Sequence, residues 1–188
     1  MIVRRFSLLA GVLTLAVGVC GCGVKSHPTN ADANNDGVYV DAGPITYQLQ
    51  ISRELNPYST EDSQYVAGLP AGTGPTKPDE LWYGVFLAAR NQTGQPATTS
   101  ARFVIVDTQG NRYYPLTLNP AENRYAWQPQ VLQPSGTEPA PNTGASFGPT
   151  QGGLLLFRLP SVVYSNRPLE LFIYPNGSGQ PATISLDL

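Results

Sequence analysis

The chain has 188 residues, of which 41% are hydrophobic and only 13% charged, and its formal net charge is −2. The 11 basic residues form no run, so there is no electrostatic footprint for a phosphate backbone, and a nucleic-acid partner is excluded. Nineteen glycines, 18 prolines and 10 tyrosines read as strands joined by turns, not as helices.

The first element is an address. Arg4 and Arg5 precede an apolar run over residues 6–19, followed by Cys20-Gly21-Cys22-Gly23. A short basic head before an apolar segment of roughly 7–15 residues is a secretory signal. A cysteine closing that segment makes residues 1–22 resemble the signal of a bacterial lipoprotein, in which the thiol becomes the attachment point for acyl chains. Gly21 is small directly before Cys22, whereas Val19 is bulky before Cys20. Cys22 is therefore the expected lipidation site and Cys20 the second choice. Stable anchoring needs at least two acyl chains, because one is marginal at ~0.8 kcal/mol per buried methylene. An alternative is a retained anchor, since residues 6–24 approach the ~20 apolar residues of a membrane span. The residues around Arg4-Arg5 do not complete the twin-arginine pattern.

Residues 23–37 read as a flexible polar tether, holding the domain on the order of 20 Å from the headgroups. The only histidine, His27, lies here. Asp32, Asn34, Asp36 and Gly37 match the first half of a calcium loop, but the twelfth position is Gly43 where a bidentate Glu is required, and no helical pattern flanks it. A polar linker is the expected reading, with no metal and no cofactor.

From residue 38 to 188 the period is two. Ile45, Tyr47, Leu49 and Ile51 alternate with polar residues as a strand with one wet face. Residues 81–89 are nearly apolar throughout, which predicts a central strand covered on both faces. Strands are expected at 103–106 and 112–118, joined by a hairpin turn at 107–111, and then at 154–159, 169–174 and 183–188. Residues 58–67 have room for one or two helical turns. Seven or eight short strands of this kind predict an all-β, immunoglobulin-like antiparallel β-sandwich.

Several segments carry a resemblance. They are Arg90-Asn91-Gln92-Thr93 at the end of a strand, residues 102–107 with Gly110-Asn111 and Tyr113-Tyr114, and residues 153–160 before a last pair of strands. In this order they resemble the telokin-like immunoglobulin-fold domain of bacterial envelope lipoproteins, a family of unknown function. The resemblance covers residues 38–188, implies the sandwich fold, and offers no catalytic residues. The chain departs from a minimal domain in two long loops, 56–79 and 129–153. Segments this long without structure of their own are usually functional or disordered. Tyr58, Tyr65 and Phe147 in the loops, together with Trp127, are the candidate interaction surface. Replacing residues 58–74 with a short linker is accordingly expected to cost little stability.

The domain contains no His beyond the tether and no Cys, which removes triads, thiol nucleophiles and the usual zinc sites. Glu61-Asp62 and Asp79-Glu80 are adjacent carboxylates, but neighbours on an extended chain point to opposite faces. Asn91 and Asn176 match the glycan acceptor pattern, as coincidence. The expectation is a non-enzymatic, lipid-anchored protein on the extracytoplasmic face of the cell membrane, interacting with another envelope protein. The alternative is a carbohydrate- or small-ligand-binding module that uses Trp127 and loop tyrosines as a platform. A carboxylate hydrolase is a third and weaker reading.

Overall fold

The computed structural model describes residues 26–32 and 37–186. The lipidation candidates Cys20 and Cys22 lie outside the described residues, as do residues 33–36 of the calcium-like segment. Twelve strands are formed among the described residues: β1 (Asn30–Asp32), β2 (Tyr39–Ala42), β3 (Ile45–Leu55), β4 (Glu80–Asn91), β5 (Ala97–Thr98), β6 (Arg102–Val106), β7 (Arg112–Tyr113), β8 (Val131–Leu132), β9 (Thr137–Glu138), β10 (Gly153–Pro160), β11 (Leu169–Tyr174) and β12 (Ala182–Leu186). One sheet runs β1-β12-β11-β6-β7. The second runs β10-β4-β3-β2, with β9 also paired to β4. Strands β5 and β8 form a small third ladder.

The two large sheets face each other across one core. Tyr47, Leu49, Tyr83, Val85, Leu87, Phe157 and Leu159 from the second sheet meet Phe103, Ile105, Leu171, Ile173 and Ile184 from the first. The fold is thus the expected all-β sandwich, antiparallel except where β1 runs parallel to β12. That pairing corrects the expected boundary at residue 38. Residues 30–32, assigned to the tether, add a strand to the sheet, and His27 packs on Tyr39 with ring centroids 5.4 Å apart. The tether's low apolar content does not prevent this, because an edge strand joins through backbone hydrogen bonds.

Strand β4 is central and buried on both faces, as its continuous apolar run predicts. Leu81, Tyr83, Val85 and Leu87 point into the sandwich. Trp82 and Phe86 point outward into a second apolar cluster with Leu55, Tyr65, Leu118, Tyr125, Ala145, Leu154 and Leu156. Gly84 leaves the space these groups need, since a Cβ there would lie 3.0 Å from Leu55 Cδ1 and Phe86 Cε2. The molecule is therefore three layers deep at this end: sheet, sheet, and a covering layer of loops.

Strand β3 departs from its expected single wet face. The register shifts between Leu49, opposite Leu87, and Ile51, opposite Phe86. The extra residue, Gln50, is a β-bulge, which reverses the facing of everything beyond it. Ile45, Tyr47 and Leu49 belong to the sandwich core, while Ile51 and Leu55 pack on the outer cluster.

The predicted turn at 107–111 is present. Asp107 Oδ1 accepts the backbone N–H groups of Gln109 and Asn111, each at 2.9 Å, and Oδ2 accepts Asn111 Nδ2, Tyr113 Oη and Asn166 Nδ2 at 2.8–3.0 Å. Burial pushes this carboxyl up, but the donors from Asn111, Asn166 and Tyr113 overcome that and hold it well below the usual range. After Tyr113 the return strand is cut short, and residues 114–118 continue without ladder pairing.

Candidate functional site

The loops do not behave as the sequence suggests. Loop 56–79 joins the core through Tyr65, with Val66 and Leu69 packed beside it, while residues 70–79 stay largely exposed. Asp62 anchors its start, taking Arg53 in a two-pronged ion pair (2.6 and 3.1 Å) and the backbone N–H of Asn56 at 2.8 Å. Tyr65, expected on an interaction surface, is fully buried between Phe86 and Tyr125, with ring centroids 5.0 and 4.9 Å away. Asn123 ties the covering segments together, donating Nδ2 to the carbonyls of Tyr65 and Ala67, both at 3.0 Å, and accepting the N–H of Tyr125. The helical turn expected in 58–67 is a single 3-10 turn, Asp62–Gln64.

Trp127 is likewise no platform. It is 8% exposed, its Nε1 donates to the carbonyl of Ser100 at 2.9 Å, and its ring packs on Tyr47, Phe103 and Gly153. Its edge borders a cavity of about 360 Å³ rimmed by Tyr114, Pro115 and Pro129. The charged residue there, Arg102, already lies over the Tyr174 ring at 3.6 Å. Tyr58 and Phe147 are the surface candidates that do stand in solvent, at 91% and 72% exposure.

The adjacent carboxylates are taken up structurally. Asp62 pairs with Arg53, which holds its carboxyl below the ordinary value, and Glu80 pairs with Arg158. Asn91 is buried and gives both amide hydrogens to the carbonyls of Gln95 and Leu132, so it cannot accept a glycan in the folded chain. Among the described residues no group of three or more His, Cys, Asp or Glu could hold a metal ion.

The site the sequence did not reveal is a groove of about 350 Å³ on the outer face of the second sheet, beside the loop layer, lined by polar side chains together with Ala88, Pro139, Ala145 and Gly152. Two rows of cross-strand neighbours make its floor. One row is Asp41, Thr46, Arg90 and Thr137; the next is Tyr39, Gln48 and Ala88. The small Ala88 and Gly152 leave a depression between the longer Gln48, Arg90 and Gln151. The turn Gly144–Phe147 forms a wall, capped by Ser146 Oγ accepting the N–H of Thr143 at 3.0 Å and tied back by Gly152 N–H donating to Ala145.

The floor side chains are already oriented. Gln92 Nε2 donates to Thr46 Oγ1 at 3.0 Å, and Thr46 donates to Asp41 Oδ1 at 2.6 Å. His27 holds the same carboxylate through its backbone N–H at 2.7 Å and its ring Nδ1 at 3.1 Å. Gln50 donates to Gln48 at 2.8 Å. Arg90 is exposed and has no ion pair or hydrogen-bond partner for its guanidinium among the described residues.

Beneath this floor, on the inner face of β9, Glu138 is 4% exposed. Its Oε1 accepts the N–H of Gln128 at 3.3 Å, and Oε2 has no hydrogen-bond partner among the described residues. Burial pushes its carboxyl up to about 7, offset in part by Thr99, Gln128 and Gln130.

No protein-family model matches the chain, and no curated protein is significantly similar to it. Solved structures are similar in fold. The yjhA protein from Bacillus subtilis superposes with a TM-score of 0.51 at 11% identity, over 81% of this chain and 98% of that one. A Bacillus subtilis protein named "putative lipoprotein (ycdA)" gives a TM-score of 0.49 at 13% identity, over 82% of this chain and 39% of that one. An uncharacterized β-sandwich protein from Clostridium difficile gives 0.43 at 11% identity, over 87% and 98%. The chain is a β-sandwich protein. Among the described residues no helix is long and apolar enough to cross a membrane.

Proposed function

We propose that this chain is a non-enzymatic, lipid-anchored binding module of the bacterial cell envelope, built on a telokin-like sandwich and holding its ligand in the groove between Tyr39, Gln48, Arg90 and Gln151. The supporting observation is the half-covered sheet face. A loop layer seals one end with apolar side chains, while the other end stays open and is lined by amide, hydroxyl and guanidinium groups. Its volume is at the small end of ligand pockets, and convergent polar groups are what give such pockets specificity. The carboxylates that could serve hydrolysis are instead committed to Arg53 and Arg158. Anchoring rests on the signal at residues 1–22 and on Cys22. Cys22→Ala should abolish incorporation of labelled palmitate, while Cys20→Ala should retain it.

A second reading, a protein partner seated on the loop tips, is favoured by the exposure of Tyr58 and Phe147. Photo-crosslinking in living cells separates the two. A crosslinker at Gln50 should capture an envelope component that one at Gln109, on a turn of the other sheet, does not. Capture at Tyr58 and Phe147 but not at Gln50 would shift the site to the loops.

A further inference from the structure

We infer that Arg90 is the anion-reading residue of the groove and that the ligand is an acidic polyol chain, sugar or polyol units carrying carboxylate or phosphate groups; this rests on the groove being the binding site. The first argument is charge. Arg53 is held by Asp62 and Arg158 by Glu80, both on the same sheet, whereas Arg90 stands between Thr46 and Thr137 with no counter-charge. The nearest carboxylate in its row, Asp41, is engaged by His27 and Thr46. Glu138 also borders the groove, but its carboxyl is turned to the inner side of the sheet, where it accepts the N–H of Gln128. A neutral ligand gives the guanidinium only neutral hydrogen bonds to hydroxyl oxygens, whereas bonds to an ionised acceptor are roughly twice as strong. An anion supplies the missing partner, and the planar fork of Arg suits carboxylate and phosphate alike.

The second argument is the rest of the lining. Gln48, Gln50, Gln92 and Gln151 line the groove with amides. Gln48, Gln50 and Gln92 each commit Nε2 to a bond within the protein, to Gly37, Gln48 and Thr46, and the oxygens of Gln50 and Gln92 are left as acceptors for hydroxyl groups. The hydrogen bonds Gln92→Thr46→Asp41 and Gln50→Gln48 hold these amides in place before any ligand arrives. Tyr39, 46% exposed, offers a flat apolar surface at the rim.

The third argument is position. The chain enters the domain at His27, packed against Tyr39 and Asp41 at the groove's own edge. With Cys22 lipidated, four residues lie between the anchor and His27, and the five Cα–Cα steps reach at most about 18 Å. The groove then sits near the membrane surface, closer than a tether running to residue 37 would place it.

The test uses the full chain in detergent micelles and four probes: oligogalacturonate (carboxylate sugar), polyglycerol phosphate (phosphate polyol), cello-oligosaccharide (neutral sugar) and polyglutamate (anion without hydroxyls). One or both acidic polyols should bind at least tenfold more tightly than the neutral sugar and the polyglutamate, and the preferred one identifies the anion. Arg90→Gln should lower that affinity at least tenfold with an unchanged melting temperature, Arg90→Lys should restore part of it, and Gln92→Ala should weaken it. Equal binding of cello-oligosaccharide, unaffected by Arg90→Gln but lost in Gln92→Ala, overturns the anion assignment and leaves the groove standing. Acidic polyol binding indifferent to both substitutions removes the groove itself. Polyglutamate bound as tightly as the acidic polyols, or no binding of any probe, overturns the ligand class.

Discussion

The outer face of the β10-β4-β3-β2 sheet carries Trp82, Phe86, Leu154 and Leu156 at one end and Thr46, Gln48, Arg90 and Thr137 at the other. The strands are the same and the backbone ladder is continuous, yet one end is sealed under Tyr65, Leu118 and Tyr125 and the other is open. Two local features divide them. The bulge at Gln50 turns Ile51 and Leu55 outward, giving the covered end the apolar side chains a loop layer can bury, while before the bulge the outward positions are Thr46 and Gln48. The loop layer contributes the rest, because its own apolar residues have no other place to go. A sheet face thus becomes core or site according to which side chains the pleat presents, and a single inserted residue exchanges them.

The largest effect should come from breaking the sealed end. Phe86→Ala should destabilise the fold by about 3–5 kcal/mol in urea titration, as for a large buried aromatic. Replacing residues 58–74 with a short linker should cost at least as much, since it removes Tyr65 and uncovers Trp82 and Phe86. A linker variant with near-native stability would show that the layer is a cover and not core.

A smaller effect is expected beneath the open end, at Glu138. Its carboxyl is pushed up to about 7 from an ordinary 4.5, so between those values the folded chain keeps a proton that the unfolded chain has released. Stability should therefore fall as pH rises from about 4.5 to 7, by roughly 3 kcal/mol in all, and level off above. Asp62 and Asp107, both held low, act in the opposite sense and only in acid, their contribution being lost as pH falls below about 4. Urea midpoints at pH 5 and pH 7.5 measure the difference, and Glu138→Gln should flatten it.

The smallest effect should come from the open end itself. Gln48→Ala removes a half-buried amide that donates to the Gly37 carbonyl and accepts from Gln50, and its stability cost should stay within about 1 kcal/mol by the same titration. A cost comparable to that of Phe86→Ala would mean that the groove floor carries the fold.

The fold was legible because side-chain periodicity is a property of the strand alone. The unbroken apolar run at 81–89 announced a strand covered on both faces, the alternation at 169–174 a strand with one, and Asp107 through Asn111 a turn. The site was not legible, because its parts are polar residues that each look like ordinary surface in their own segment. Thr46, Arg90 and Thr137 lie on three strands, and only the ladder register sets them in one row. Tyr65 and Trp127 were misplaced for the complementary reason. An aromatic in a Gly- and Pro-rich loop signals exposure locally, and only the tertiary structure supplies the apolar face that buries it. What the sequence determined by itself is the strand content and the absence of cysteine from residues 23–188, since these depend on residue identity and short-range order. The bulge at Gln50, the loop layer and the unpaired charge of Arg90 were decided by contacts between distant segments, which no local pattern encodes.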